Sequence, residues 1–352
     1  MAAMPAPSLA RKRLETLCIA VTGAALFWAA GLPLPFLFGP MCSSLLAALA
    51  RRPLEGFGRV TTASRTILGV AIGASLTPEV VASLPQMAAS LALMPIYIAC
   101  IGLIGLPFFH RVCELDRATA WYAAMPGGLL DMVIFGTEAG GDPRAISLIH
   151  ATRVLVIVTV VPLILSFGFG ASLDNPVGAP IRDLPVSEMA IMIVAAWVGW
   201  KGGEKIGLFG ASILGPMIVT AVLSLSGEIQ SRPPAEAILF AQFMIGTGLG
   251  VSYVGVTVAE LQKFVLAGLV FVVILAALAA GFTEIVVSLG LAPAIEGFLA
   301  FAPGGQAEMT VLAIVAGADL GFVIVHHLTR LFLVISGAPV AARLFVGKDR
   351  RS

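Results

Sequence analysis

Charged residues are scarce in this sequence of 352 residues. They make up 12% of the chain, hydrophobic residues make up 59%, and the mean hydropathy is +1.00. Soluble proteins carry about 25% charged residues, so this chain lacks the polar surface that would cover it in water. The composition predicts an all-α, polytopic membrane protein. The net charge of +1 gives no indication of nucleic-acid binding, and we expect none.

Residues that bind metals or nucleotides are equally scarce. The chain has four cysteines without metal-ligand spacing and four histidines divided between its two halves. We therefore expect no metal and no cofactor, and a metal-dependent enzyme such as a membrane monooxygenase has little support. No glycine-rich loop ending in Lys-Ser or Lys-Thr is present, which argues against ATP-driven transport by this chain alone.

What the sequence does contain is one polar cluster that occurs twice. Residues 126–162 and 303–339 align without a gap at an offset of 177. Ionisable residues are costly in apolar segments, and unrelated apolar sequences would not keep both their identities and their spacing. The matched pairs are Pro126 with Pro303, Asp131 with Glu308, Asp142 with Asp319, His150 with His327 and Arg153 with Arg330.

The similarity extends over most of the chain and predicts two homologous units. Gly39-Pro40-Met41 matches Gly215-Pro216-Met217, so we assign residues 1–168 to the first repeat and 186–352 to the second, with 169–185 as the linker. Arg11, Lys12 and Arg13 before an apolar run could belong to a signal peptide. Because the run at 14–30 has a counterpart at 186–200, we expect a retained first helix instead.

Each repeat is expected to contain five spanning helices. We place helices near 14–30, 34–50, 64–83, 87–109 and 144–168, and near 186–200, 206–226, 236–255, 261–282 and 320–345.

A more interrupted segment precedes the last helix of each repeat. Two half-length helices, 118–125 with 129–139 and 295–302 with 306–317, flank a Pro-Gly-Gly sequence. Proline removes a backbone donor and glycine frees the dihedrals, so the chain can turn there. The segment is either a re-entrant hairpin or discontinuous helix, or an ordinary span with a kink. The turn residues are Pro126, Gly127 and Gly128 in the first repeat and Pro303, Gly304 and Gly305 in the second.

The basic residues favour inverted repeats of five spans over six full spans in each repeat. With five spans, all but four of the 21 Lys and Arg residues lie on the cytoplasmic side. Both chain termini then lie on the cytoplasmic side as well. Arg182 and Arg232 then lie outside, and Arg153 and Arg330 lie within the membrane. Six full spans give a weaker asymmetry. Inverted repeats with broken helices are familiar from secondary transporters.

The duplicated motifs resemble those of the AbrB family of bacterial inner-membrane proteins. The resemblance rests on Leu-x-Gly-Pro-Met (Leu37 to Met41), on Pro-Gly-Gly followed by an acid and Met, and on His-x-x-Arg in the last helix. It covers nearly the whole chain and implies a duplicated protein in the bacterial inner membrane. Family members have been labelled regulators of gene expression and ammonia monooxygenases. The family is unrelated to the small soluble DNA-binding proteins of the same name.

Two interpretations of the repeated cluster remain open. An arginine near the centre of a bilayer costs about 2.5–3.5 kcal/mol on insertion scales, so it needs a partner, for which the acid of the same repeat is the obvious candidate. An acid–histidine–arginine set could bind a solute or relay protons, since histidine titrates near neutral pH. Alternatively, it is a structural ion pair that fixes a hairpin to a helix. The candidate residues are Asp131, His150, Arg153, Glu308, His327 and Arg330.

Two further pairs of features have structural explanations. Asp142 and Asp319 precede expected helix starts and are predicted to be N-caps. Gly69 and Gly73, with Gly246 and Gly250 in the second repeat, are spaced for close helix packing, although an unwound segment lining a substrate site is the alternative.

The function that these features favour is a secondary-transporter-like permease for a small polar or anionic solute. A membrane-embedded regulator without transport is the alternative that the family label suggests. The expected partners are the lipid bilayer and an unknown small solute, and an oligomer is possible.

Overall fold

The computed structural model describes residues 8–32, 34–173, 175–208 and 210–345, and these residues form helices and connecting loops without a strand. Both chain ends, which the basic residues place in the cytoplasm, lie outside the described residues. In chain order the helices are α1 (Leu9–Ala29), α2 (Pro35–Leu49), α3 (Arg59–Ala74), α4 (Pro78–Ala82), α5 (Leu84–Pro107), α6 (Arg117–Ala124), α7 (Leu129–Glu138), α8 (Pro143–Leu163), α9 (Val186–Lys205), α10 (Ala211–Leu225), α11 (Ala235–Val251), α12 (Val258–Glu260), α13 (Leu266–Ser288), α14 (Ala294–Phe301), α15 (Gln306–Val315) and α16 (Leu320–Phe345).

Four helical segments of the described residues are long and apolar enough to cross a membrane. They are Leu84–Val112, Pro143–Gly168, Val258–Ser288 and Leu320–Phe345, and three of them include a π-helical turn. Each exceeds the roughly 20 residues that a 30 Å hydrocarbon layer requires. Several other helices are apolar but shorter, among them α2, α10, α11 and α15. The helical class is confirmed, whereas the arrangement of ten spans in inverted repeats stays a prediction.

One predicted helix, 64–83, is wrong in its extent. The structure has α3 ending at Ala74 and a separate short α4 that begins at Pro78. Proline has no backbone N–H to continue the hydrogen-bond ladder of α3, but it is well suited to the first turn of a new helix. The helix is therefore interrupted from Ser75 to Thr77.

The chain divides into two compact units, and each unit draws on both halves of the sequence. The first comprises Met1–Ser75 and Pro176–Thr257, and the second Leu76–Asn175 and Val258–Ser352. These units do not coincide with the sequence repeats 1–168 and 186–352, because each unit combines a segment of the first repeat with a segment of the second. The division into repeats remains a prediction from the sequence.

Glycines bring the helices of the first unit into close contact. A Cβ atom on Gly69 or Gly73 of α3 would overlap backbone oxygens of α10, those of Ile213 and Met217. Gly246 and Gly250 of α11 have the same relation to α2, so packing is the confirmed role of both glycine pairs. Small residues allow such approach where lipid-like surroundings give no hydrophobic driving force between helices.

The second unit contains the four long segments and both Pro-Gly-Gly sequences. Its core is apolar and aromatic, with Tyr97 of α5 packed edge-on against Phe282 and Phe301 at ring distances of 5.0 and 5.4 Å. Helices α8 and α16 each pack against the two half-helices that precede them. The two copies of the polar cluster therefore lie in the same unit.

Candidate functional site

Each Pro-Gly-Gly sequence is a true interruption of the helix. Between α6 and α7 the backbone is non-helical, with ψ of 133° at Met125 and 144° at Gly128. The second copy has ψ of 127° at Ala302 and 148° at Gly305. A kink bends a helix whose residues on both sides remain in register, whereas here four residues leave the helix altogether. Each segment is therefore broken at its Pro-Gly-Gly sequence and is not a continuous kinked helix, while its placement in a membrane, as a re-entrant hairpin or a discontinuous span, stays a prediction.

The half-helices are too short to cross a membrane alone. Helices α6 and α14 have 8 residues each, and α7 and α15 have 10. At 1.5 Å per residue they are about 12 and 15 Å long, against about 30 Å of hydrocarbon. A break between two half-helices exposes backbone polar groups, and these groups must find partners in the protein or in water.

The histidine and arginine of α8 supply partners for the end of α6. His150 Nε2 lies 2.9 Å from the carbonyl oxygen of Tyr122. The guanidinium of Arg153 donates from Nη1 to the Met125 oxygen at 3.1 Å and from Nη2 to the Gly127 oxygen at 2.8 Å. His150 is 0% exposed and Arg153 4%, so water is largely excluded from these bonds.

The same three hydrogen bonds recur in the second copy at the offset of 177. His327 Nε2 lies 2.8 Å from the Leu299 oxygen. Arg330 donates to the oxygens of Ala302 and Gly304, both at 2.7 Å. The last carbonyls of a helix have no partner within it and carry the negative end of its dipole. Each His-x-x-Arg motif therefore caps the C-terminal end of a half-helix with a planar cation.

The acidic residues lie at the opposite side of each break, at the start of the second half-helix. Asp131 and Glu308 are the third residues of α7 and α15. Their carboxylate oxygens occupy the space where a Cβ of Gly128 or Gly305 would stand, so each side chain folds back over its N-cap glycine. This is the position of the acid in a capping box, where it is favoured by the free N–H groups and the dipole.

The two copies lie next to one another. Helix α15, which carries Glu308, packs against α8, which carries Arg153. The structure thus brings together residues that are far apart in sequence. The specific pairing of each arginine with the acid of its own repeat stays a prediction, because the hydrogen bonds described for the guanidinium groups go to carbonyl oxygens.

Three buried nitrogen atoms of the cluster have no hydrogen-bond partner among the described residues: Nδ1 of His150, Nδ1 of His327 and Nε of Arg153. A carbonyl oxygen only accepts, so the Nε2 of each histidine must carry the proton that it donates. In the neutral ring Nδ1 is then a free acceptor. Buried polar atoms without partners are rare, and in most proteins an ordered water or a ligand meets them.

Tyr97 is a member of this region that the sequence analysis missed. Its hydroxyl donates to the Phe301 oxygen at 2.7 Å, beside the carbonyls that His327 and Arg330 occupy, and the side chain is 0% exposed. At the offset of 177 the second repeat has Ile274, which carries no donor. A single tyrosine in an apolar segment gave the only signal, and it could not have been told from a core aromatic residue.

The predicted N-caps are confirmed. The Asp142 carboxylate accepts from the backbone N–H groups of Arg144 and Ala145 at the start of α8. Asp319 accepts from the N–H of Phe322 at 3.0 Å, at the start of α16. Both aspartates orient the helices that carry the His-x-x-Arg motifs. Among the described residues there is no group of three or more His, Cys, Asp or Glu side chains that could hold a metal ion.

Comparison with known proteins gives consistent matches over most of the chain. The model of the family described as "Transition state regulatory protein AbrB" matches residues 36–346. "Uncharacterized protein YhjN" of Bacillus subtilis (strain 168) is 26% identical over 295 residues, covering 79% of this chain and 76% of that protein. "Putative regulator AbrB" of Escherichia coli (strain K12) is 24% identical over 323 residues, covering 90% of this chain and 91% of that protein.

Proposed function

The chain belongs to the membrane-type AbrB family, which is distinct from the small DNA-binding proteins of that name, and we propose that it is a secondary-transporter-like permease. The solute would be small and polar or anionic, and it would bind beside the two Pro-Gly-Gly breaks. The observation that carries the proposal is the pair of buried arginines, each held by two carbonyl oxygens next to a broken helix.

The breaks offer binding groups of both signs. The starts of α7 and α15 present backbone N–H groups, which make helix N-termini favourable for carboxylates and phosphates. The carbonyl oxygens at the ends of α6 and α14 are already occupied by side chains, so the arginines add positive charge without leaving acceptors free. Asp131 and Glu308 balance part of that charge. Such a site suits an anionic solute or a zwitterion whose ammonium group meets one of the acids.

The histidines give the site a means of moving protons. Because Nε2 of His150 and of His327 donates to a carbonyl, Nδ1 can accept a proton from a solute or from water. Neither Nδ1 has a hydrogen-bond partner among the described residues. Proton-coupled uptake is therefore the form of transport that these residues support best.

The proposed membrane is the bacterial inner membrane, with both termini in the cytoplasm and the linker 169–185 on the other side. Arg182 in this linker has a side chain that is 83% exposed. A single cysteine at this position, in a chain whose native cysteines are replaced, should react with a membrane-impermeant reagent added from outside the cell. Reaction only from the cytoplasmic side would contradict the inverted arrangement.

A membrane-embedded regulator without transport is the second candidate. It is favoured by the description of the family and by the name of the Escherichia coli relative. No buried cation at a helix break is needed for that role, so the two candidates differ in what the arginines do.

Uptake by proteoliposomes distinguishes them. The purified chain would be screened against radiolabelled small carboxylates, amino acids and phosphorylated compounds, with and without a proton gradient. Arg153→Gln should abolish uptake, because the cation at the break is lost. Arg144→Gln is the matched control: it changes an arginine of the same helix that pairs with Glu260 at 2.8 Å, away from the break. Unchanged uptake by Arg153→Gln, or no uptake of any compound, would count against the permease.

A further inference from the structure

An apolar groove of about 380 Å³ lies on the second unit between α5, α6 and α16. Its walls include Trp121 of α6, Met125 directly after α6, and Leu333 and Phe345 of α16. Gly337 of α16 also lines it, and no atom lies within 4 Å of the position where a Cβ on this glycine would be. The groove therefore has open space at a point where α16 presents no side chain.

A second pocket, of about 310 Å³, adjoins one end of the groove and is basic. It shares Leu106, Pro107 and Phe345 with the groove. Its polar lining consists of His110, Arg111 and Arg117. The apolar groove thus adjoins a pocket that contains two arginines and a histidine.

The local fold holds these basic residues in place at the end of α5. A π-helical turn, Phe108–Val112, extends α5 and carries His110 and Arg111. His110 Nδ1 donates to the Leu115 oxygen at 2.8 Å, which fixes the ring. Arg117 is the first residue of α6 and follows the turn after a loop of four residues, Cys113 to Asp116.

The positive charge of the pocket is not neutralised by ion pairs. Neither Arg111 nor Arg117 belongs to an ion pair among the described residues. The nearby carboxylate of Asp116 is turned onto its own helix, where it accepts from the N–H and the hydroxyl of Thr119.

We propose that this composite site binds an anionic glycerophospholipid. One acyl chain lies in the groove, and the phosphate lies between Arg111 and Arg117. Basic pockets at the ends of membrane helices recognise anionic head groups, and an arginine can hold two phosphate oxygens at once. A free phosphate ion would use the basic pocket alone and would leave the groove empty. The groove reaches the first break at Met125, whose carbonyl oxygen accepts from Arg153, but the proposal does not depend on the proposed transport.

The test measures lipid binding to the purified full-length chain by native mass spectrometry in detergent. The probes are dioleoylphosphatidylglycerol, dioleoylphosphatidylcholine and inorganic phosphate. Two variants interrupt the site at its two ends. Arg111→Gln with Arg117→Gln removes the cations, and Gly337→Phe fills the groove. Gly337→Leu is a milder alternative should the phenylalanine variant fold poorly.

Each variant has a matched control. Arg51→Gln with Arg59→Gln removes two exposed arginines that lie outside the pocket. Gly281→Phe adds the same ring to an exposed helical glycine whose Cβ position also has no neighbour within 4 Å, but which does not line the groove.

Phosphatidylglycerol should bind about 30-fold more weakly to the double arginine variant, at about fivefold for each cation near the membrane surface. Gly337→Phe, which keeps the charges of the pocket, should bind phosphatidylglycerol at least tenfold more weakly. The controls should bind it with an affinity within twofold of that of the parent chain. Equal binding of phosphatidylcholine, or equal loss in variant and control, would overturn the proposal in favour of non-specific lipid. Binding of inorganic phosphate as tight as that of the lipid would show an ion site only. Loss of a dimer in Gly337→Phe with unchanged lipid binding would identify a contact between two copies.

Discussion

Replacing Arg330 by methionine is the most direct test of the capping role of the His-x-x-Arg motif. The change keeps a long side chain in the core of the second unit and removes both bonds from the guanidinium to Ala302 and Gly304. Two carbonyl oxygens at the end of α14 are then left without these donors in a region where the arginine itself is only 4% exposed. We expect the protein to insert and to be less stable.

The size of the effect follows from two opposing contributions. A hydrogen bond to a charged group contributes about 1.5–3 kcal/mol, so the two bonds contribute about 3–6 kcal/mol. Removing the buried cation returns about 2.5–3.5 kcal/mol of insertion cost. The midpoints of the two ranges differ by about 1.5 kcal/mol, which is the expected loss in the free energy of unfolding. For a chain of 352 residues, with an unfolding entropy of about 2.1 cal/mol/K per residue, that corresponds to about 2 °C in the melting temperature.

Lysine at the same position separates charge from geometry. Arg330→Lys keeps the buried cation, but a single ammonium group cannot replace the planar fork that reaches two carbonyls. It should therefore be destabilised about as much as Arg330→Met. Arg343→Met is the matched control, because this arginine lies on the same helix and is exposed, so its replacement should change stability by less than about 0.5 kcal/mol.

Thermal unfolding of the detergent-solubilised chain, followed by tryptophan fluorescence, measures these differences. The capping explanation would be refuted if Arg330→Met melted at the temperature of the parent chain. It would also be refuted if Arg330→Lys were fully stable while Arg330→Met was not, since charge alone would then account for the effect.

Two further predictions concern glycines. Gly305→Ala should lower the free energy of unfolding by about 1 kcal/mol, because the new methyl group displaces the Glu308 carboxylate from the start of α15. The control, Gly281→Ala, has open space around the new methyl group and should be neutral or stabilising by up to about 1 kcal/mol. Equal melting temperatures of the two variants would contradict this role of Glu308. Gly69→Ala should cost about 1–3 kcal/mol because its Cβ meets the backbone of α10, which cannot move aside as a side chain can. Gly202→Ala on α9 is the control without neighbours, and a chemical denaturation series that shows both variants equally stable would disprove the close contact.

The amino-acid sequence by itself determined the class of the protein and the position of its breaks. Low charge content predicts membrane helices, since there is too little polar surface for water. Pro126 and Pro303 with their glycines locate the interruptions, because neither residue type supports a continuous helix. Asp142 and Asp319 were predictable as N-caps for an equally local reason.

The partners of the charged residues were decided only by the tertiary structure. The sequence suggested Asp131 and Glu308 as partners of the arginines because only side chains can be seen in a sequence. Hydrogen-bond acceptors of the backbone are the same at every residue, so the carbonyls of Met125 and Ala302 carry no sequence signal. These carbonyl oxygens accept from the arginines because the fold ends α6 and α14 beside α8 and α16.

Which segments of the chain form each compact unit likewise could not be predicted from the sequence. A repeat shows which segments are alike, but it does not show which segments pack together. Contacts such as that of Gly69 with α10 join residues far apart in the chain, and they arise from the shapes of helix surfaces that local sequence does not specify. The sequence thus determined the helices and their breaks, and the packing of those helices decided which backbone atoms meet the buried cations.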